Sequence, residues 1–97
     1  MTYTVRFSPF AKEDKETIRN YLSKFYPETP HRFTILLKEQ IANLKGNPYI
    51  YPEYSENTVY RRMNVGNYIV FYKINDQEKL IDIYRILRAS WDLPKYM

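Results

Sequence analysis

The sequence predicts an α+β domain in which an N-terminal strand, an antiparallel helical hairpin and a three-stranded antiparallel meander form one sheet, with the helices across one face. Three observations predict it. Apolar residues alternate with period two at the start of the chain and in its C-terminal part. Between these stretches lie two longer ones with apolar spacings of three and four, each opened by a Ser-Pro or Thr-Pro pair. The links between the last three apolar runs are too short for anything but antiparallel neighbours.

Each element follows in order. From Tyr3 to Ser8, Tyr3, Val5 and Phe7 point one way and Thr4, Arg6 and Ser8 the other, as in a half-buried strand. Ser8-Pro9 reads as an N-cap followed by proline at the first helical position. The helix carries Ile18, Tyr21, Leu22 and Phe25 on one face, Phe10 and Ala11 at its start, and a charged, solvated Lys12–Glu16 turn; Pro27 ends it. Thr29-Pro30 repeats the device for a second helix with the stripe Phe33, Leu36, Leu37, Ile41 and Leu44, stopped at Gly46 before Pro48. The short connection makes the pair an antiparallel hairpin.

Residues 47–57 (NPYIYPEYSEN) form a loop with two prolines and three tyrosines, either a binding segment or a lid on the core. Strands are expected over Thr58 to Asn64, Tyr68 to Ile74 and Leu80 to Arg88, with turns at Val65-Gly66-Asn67 and Asn75-Asp76-Gln77. The run YIVFYKI is apolar on both faces, which makes it the central strand of the meander.

Composition narrows the function. With 97 residues, the chain has room for a single domain, residues 1–97. Seventeen of the residues are rings (eleven Tyr, five Phe, one Trp), which fill a small core efficiently. There is no Cys, so disulfides, thiolate catalysis and Cys-ligated zinc are excluded. No long apolar run and no signal-peptide profile is present, so a cytoplasmic protein without membrane contact is expected. The net charge is +4, with eight basic and seven acidic residues before Thr58 and seven basic and four acidic from Thr58 onward. A basic C-terminal half suits a polyanionic partner, whether nucleic acid, ribosome or acidic peptide, or serves only as a solvated surface.

Standard catalytic constellations are sparse. The one histidine, His31, reads as an exposed residue at the start of the second helix. With it alone and no Cys, neither a metal site nor a nucleophile–His pair follows, and no glycine-rich phosphate loop exists, so no cofactor is expected. What remains is arginine beside aromatic rings. Arg61 and Arg62, consecutive in a strand, point to opposite faces. A period of two places Arg88 on the face of Tyr84 and Arg85 on the other. A guanidinium fork beside a tyrosine grips phosphate and stacks a base, or grips an acidic strand; the bland alternative is that these arginines solubilise the sheet.

Five ordered pieces of the sequence resemble the RelE/ParE toxin superfamily. They are the strand ending in Phe7-Ser8-Pro9; Ala11 with Asp14 and the Ile18/Tyr21/Leu22 face; Ile41-Ala42-Asn43-Leu44 followed by Asn47-Pro48; Tyr60-Arg61-Arg62-Met63 with Gly66 to Tyr72; and Ile83 to Arg88 ending in Trp91-Asp92-Leu93. The resemblance implies the toxin of a type II toxin–antitoxin system, neutralised by a cognate antitoxin that wraps it. It also implies an apolar groove beside the helices, lined by residues such as Tyr26 or Phe33, to receive a partner helix.

Two activities accompany the resemblance: poisoning of DNA gyrase, and ribosome-dependent cleavage of messenger RNA. As an mRNA endoribonuclease the chain would use Arg61, Arg62 and Arg88 as phosphate clamps and Tyr84 near the chemistry. It departs from that pattern. No arginine follows Asn67-Tyr68 at the start of the central strand, and Arg88 is followed by Ala89-Ser90-Trp91 rather than a terminal Tyr or His. These departures favour a toxin that binds a protein target such as gyrase.

Overall fold

One residue joins the first strand to the first helix. The computed structural model describes residues 2–25 and 29–97, the side chains of 25 and 29–31 excepted. In it β1 (Thr4–Phe7) runs through Ser8 into α1 (Pro9–Phe25). Ser8 Oγ accepts the Ala11 N–H at 3.0 Å and its carbonyl accepts the Lys12 N–H at 3.0 Å, so the cap acts as read. Helix α2 spans Thr29–Gly46. Tyr26 and Pro27 lie outside the described residues, as do the side chains of Thr29 and His31, so the expected helix stop, second cap and surface histidine are not among them.

The meander follows as β2 (Arg61–Val65), β3 (Tyr68–Asn75) and β4 (Leu80–Arg88). The strand order is β1-β4-β3-β2, with β1 parallel to β4 and the meander antiparallel. Every residue from Tyr68 to Tyr72 is buried, as the two-sided apolar run requires of the meander's middle strand. Gly66-Asn67 is a two-residue hairpin, and Gly66 takes φ +60° with no atom near its missing Cβ, so backbone conformation alone selects glycine there.

Apolar layers cover both sheet faces. Between helices and sheet, Ala11, Ile18, Leu22, Phe33, Leu37 and Leu44 pack on Met63, Val65, Val70, Tyr72, Ile81, Ile83 and Ile86. On the open face, away from the helices, Tyr54 and Leu93 close over Ile69, Phe71 and Leu87. Leu93 comes from a 3₁₀ turn (Leu93–Tyr96), so the end of the chain folds back onto the sheet. Tyr54 comes from the loop of residues 47–57, which is largely a lid: Tyr51 packs against the helix-side core, and Tyr72 donates its hydroxyl to Pro48 O at 2.7 Å.

Two expectations fail locally. The first meander strand, β2, begins at Arg61, not Thr58, because Asn57 folds residues 57–60 into a tight turn. The Tyr60 N–H donates to Asn57 O at 3.1 Å and the Val59 N–H to Asn57 Oδ1 at 3.4 Å, which diverts those groups from a ladder. The second failure decides side-chain faces. Phe71 pairs with Arg85 but Tyr72 pairs with Ile83, so Tyr84 is an extra residue, a β-bulge. Below the bulge Ile81 and Ile83 face the helices; above it Ile86 does, and Leu87 faces the open side. Tyr84 and Arg88 therefore lie on opposite faces, and the period-two reading of that strand is corrected.

Candidate functional site

The open face carries a chain of rings around one anchored guanidinium. Arg62, Phe71 and Arg85 are cross-strand partners and share this face. Tyr84, set out by the bulge, stacks on Tyr60 with centroids 4.7 Å apart and planes at 16°. Phe10, 57% exposed at the start of α1, meets Tyr84 edge-on at 6.3 Å. The Arg85 guanidinium lies 5.7 Å from the Phe10 centroid and donates to Tyr96 O at 3.2 Å, and Tyr96 packs on Trp91 at 5.2 Å. Tyr60, Tyr84, Phe10, Arg85, Tyr96 and Trp91 thus form one continuous surface.

The cause lies at a sheet edge. Beyond Phe7 the chain turns into α1, so β4 has no β1 partner after Ile83. Ser8 and Asp14 fill the gap. Ser8 donates its hydroxyl to Tyr84 O at 2.7 Å, and Asp14 Oδ2 accepts the Ile86 N–H at 3.0 Å. The Asp14 carboxylate also takes a bidentate grip from Arg85, Nε at 2.8 Å and Nη2 at 2.9 Å. That contact holds the Arg85 pKa above its ordinary value. Sequence reading gave Arg85 no role, and Asp14 entered only through the family resemblance. An acceptor for one N–H at an unpaired edge leaves no periodic signal.

The four arginine and tyrosine candidates do not assemble. Arg62 is on the open face, its guanidinium 5.9 Å from the Tyr54 ring centroid. Arg61 faces the helix side and clamps the loop: its Nη1 donates to Tyr51 O at 2.7 Å, and it lies 4.9 Å from the Tyr49 ring. Arg88 also faces the helix side, at the opposite end of the sheet, where its row pairs with Tyr68 and Val65. Four residues of strand separate that row from the row of Arg61, roughly 13 Å. Tyr84 and Arg62 share the open face, while Arg61 and Arg88 share the helix side at opposite ends of the sheet. Burial, then Tyr84, raises the Tyr60 pKa, away from use as a base near neutrality. Among the described residues no three His, Cys, Asp or Glu side chains converge on a possible metal position.

Arg88 instead borders a groove of about 420 Å³ between the C-terminal part of α1, the N-terminal part of α2 and the β2–β3 hairpin. Leu22, Phe33, Leu36 and Val65 line it, with Tyr21, Arg32 and Arg88 among its other walls. Phe33 packs edge-on against Tyr68 at 5.3 Å, which fixes one wall. This is the groove expected beside the helices, and it includes Phe33; Tyr26 lies outside the described residues.

The family profile described as the ParE toxin of the type II toxin–antitoxin system parDE matches residues 5–93. The chain belongs to the ParE toxin family. Solved structures agree on the fold of this toxin. It is similar to a chain of the chromosomal ParDE toxin–antitoxin system from P. aeruginosa, with a TM-score of 0.77 at 18% identity over 92% of this chain and 98% of that one. It is similar to a chain of the RelBE2 toxin–antitoxin complex from Mycobacterium tuberculosis, with a TM-score of 0.66 at 22% identity over 91% and 99%. A chain of the archaeal RelE–RelB complex from Pyrococcus horikoshii gives 0.67 at 20% identity over 93% and 98%. Comparison with curated proteins gives no sequence match. Membership makes the chain the toxin of a type II pair, with an antitoxin as partner. Among the described residues, no helix of the toxin is long and apolar enough to cross a membrane.

Proposed function

We propose that the toxin acts by binding a protein target through the open-face surface of Phe10, Tyr84, Arg85, Trp91 and Tyr96, with DNA gyrase the target class that the resemblance implies. The observation that carries this reading is the state of the arginines on that face. Arg85 is held by Asp14 and Tyr96, Arg62 lies against Tyr54, and Tyr54, Ile69, Phe71, Leu87 and Leu93 seal the sheet beneath. A phosphate clamp needs guanidinium groups that converge on an open cleft. Exposed Phe, Trp and Tyr around an anchored Arg match the composition of protein-interface hot spots instead. Purified toxin should block gyrase supercoiling, and Phe10→Ala with Trp91→Ala should abolish the block while antitoxin binding persists. Undisturbed supercoiling at excess toxin removes gyrase as the target.

One observation favours a second reading, a ribosome-dependent mRNA endoribonuclease: Tyr84 and Arg62 share the open face beside the stacked Tyr60. Under it only that pair acts at one phosphate, since Arg61 and Arg88 lie elsewhere. Mapping of messenger 5′ ends after induction without antitoxin decides between them. Cuts locked to the reading frame establish the nuclease, and growth arrest with intact messages removes it.

The helix groove is the seat we assign to the antitoxin. Its apolar lining suits the anchor residues of an amphipathic helix, and Arg32 and Arg88 suit acidic residues flanking them.

A further inference from the structure

The helix groove has a polar end. Tyr68 and Arg88 are cross-strand partners in the β3–β4 ladder, and both line the groove together with Tyr21. Burial raises the Tyr68 pKa, Arg88 opposes that rise and Tyr21 adds to it, as a guanidinium and a second phenol do when they approach one hydroxyl. Arg88 is half-buried, and neither it nor the exposed Arg32 of α2 forms a salt bridge with any described residue. A guanidinium partly withdrawn from water and lacking a counter-ion gains strongly from an anion brought to it.

The rest of the groove is largely apolar, lined by Leu22, Phe33, Leu36 and Val65. Phe33 and Tyr68 meet edge-on at 5.3 Å with planes at 63°, so one wall is a fixed pair of rings. The volume of about 420 Å³ falls within the roughly 300–1,000 Å³ of small-molecule sites. An apolar body with a few convergent polar groups at one end is also how such sites are built.

We propose that the groove of the free toxin binds a small aromatic carboxylate, with its ring on the apolar floor and its carboxylate on Arg88. Each part of the groove selects one part of that ligand. The guanidinium fork matches the two oxygens of a carboxylate. The rings of Phe33 and Tyr68 favour a flat aromatic body, which also loses fewer rotations on binding than an acyl chain does. A nucleotide fits less well: Asn67 is the one side-chain amide among the described lining residues, so the polar edges of a base would be buried largely unpaired. The groove lies on the helix side of the sheet, so the site is independent of the open-face target. One consequence rests on the seat assigned above to the antitoxin: ligand and antitoxin compete for the same groove.

The probe is naphthoate, titrated into isotope-labelled toxin without antitoxin and followed by amide and methyl NMR. Saturable shifts are expected at the Gly66, Asn67 and Tyr68 amides and at the Leu36 and Val65 methyls, with none at Trp91 or Tyr96 on the open face. Arg88→Gln should weaken binding about tenfold, and neutral naphthamide, which needs no variant to fold, should bind the unaltered toxin more weakly by a similar factor. The proposal is overturned by the absence of saturable shifts in the groove, by naphthamide binding as tightly, by undiminished binding to folded Arg88→Gln toxin, or by tighter binding of octanoate or naphthyl phosphate. Added antitoxin should release the naphthoate. If naphthoate stays in the groove of the complex, the antitoxin's seat falls and the ligand site stands; if naphthoate never binds, the ligand site falls and the seat is still tested by antitoxin binding to groove variants.

Discussion

Replacing Asp14 with Ala tests the account of the β4 edge most directly. The Asp14 carboxylate accepts three hydrogen bonds, two from Arg85 and one from the Ile86 N–H. The Asp14 and Arg85 side chains are 14% and 19% exposed, and Ile86 is 1% exposed. Alanine leaves that N–H without an acceptor, a cost of about 1–3 kcal/mol. It also leaves the guanidinium with only the Tyr96 carbonyl. Breaking a fully buried pair costs about 3–5 kcal/mol, and partial solvent access here brings that to about 2 kcal/mol. The sum is about 3–5 kcal/mol, a large part of the roughly 5–15 kcal/mol that holds a domain folded. It corresponds to a melting temperature lower by about 12–40 °C for a chain of this length. Asp14→Asn keeps an acceptor for Ile86 and loses the charge, so about 2 kcal/mol is expected. Urea unfolding followed by circular dichroism, at constant slope, measures both. A loss below about 1 kcal/mol for Asp14→Ala, or equal losses for Ala and Asn, would refute the edge-plug account.

Three further outcomes follow from the geometry. Burial pushes the Tyr72 phenol from 10.0 to about 12, so its contribution to stability is complete below pH 10.0 and is lost as pH rises toward 12; Tyr72→Phe should flatten that alkaline loss in pH-dependent urea unfolding and cost about 1 kcal/mol near neutrality through the lost bond to Pro48. Hydrogen bonds from the Tyr49 and Tyr3 hydroxyls hold the Asp76 carboxyl below its ordinary 3.8, so its contribution is present above that pH and is lost as pH falls through the lower folded value; Asp76→Asn should make the acid arm of the same curve shallower. In the helix groove, Leu36→Glu should weaken antitoxin binding in calorimetry by a hundredfold or so, as expected for an interface anchor, and Arg88→Glu by about tenfold; a Leu36→Glu toxin that binds antitoxin normally would remove the groove as its seat.

Most of the fold was legible because its signals are local. The alternation of Tyr3, Val5 and Phe7, the Ser8-Pro9 cap and the two-sided run from Tyr68 to Tyr72 each depend on residues a few positions apart. What escaped sequence reading depends on pairing between distant segments. That β1 lies beside β4, and that Asp14 reaches Ile86, are contacts across about the whole chain, and neither changes the apolar period of its own element. The candidate site was legible in its residue types and not in its arrangement. Arginine and tyrosine do meet on this sheet, but the arginine that meets the rings is Arg85, with Phe10 and Tyr96, while Arg61 holds the 47–57 loop and Arg88 borders the helix groove.

A single inserted residue accounts for that arrangement. Without the bulge at Tyr84, Arg88 would follow Tyr84 onto the open face, and Arg85 would turn inward among the apolar residues beneath the helices. A guanidinium there would meet Ile18 and Leu22 rather than solvent, at a cost no local hydrogen bond offsets. With the bulge, Arg85 reaches the edge where Asp14 waits, Ile86 takes the inward position, and Arg88 goes to the groove assigned to the antitoxin. The same insertion thus takes one cation away from the open face and fixes another within it. A surface so arranged has its charge anchored and its rings exposed, and that favours the recognition of a protein over the cleavage of a phosphodiester.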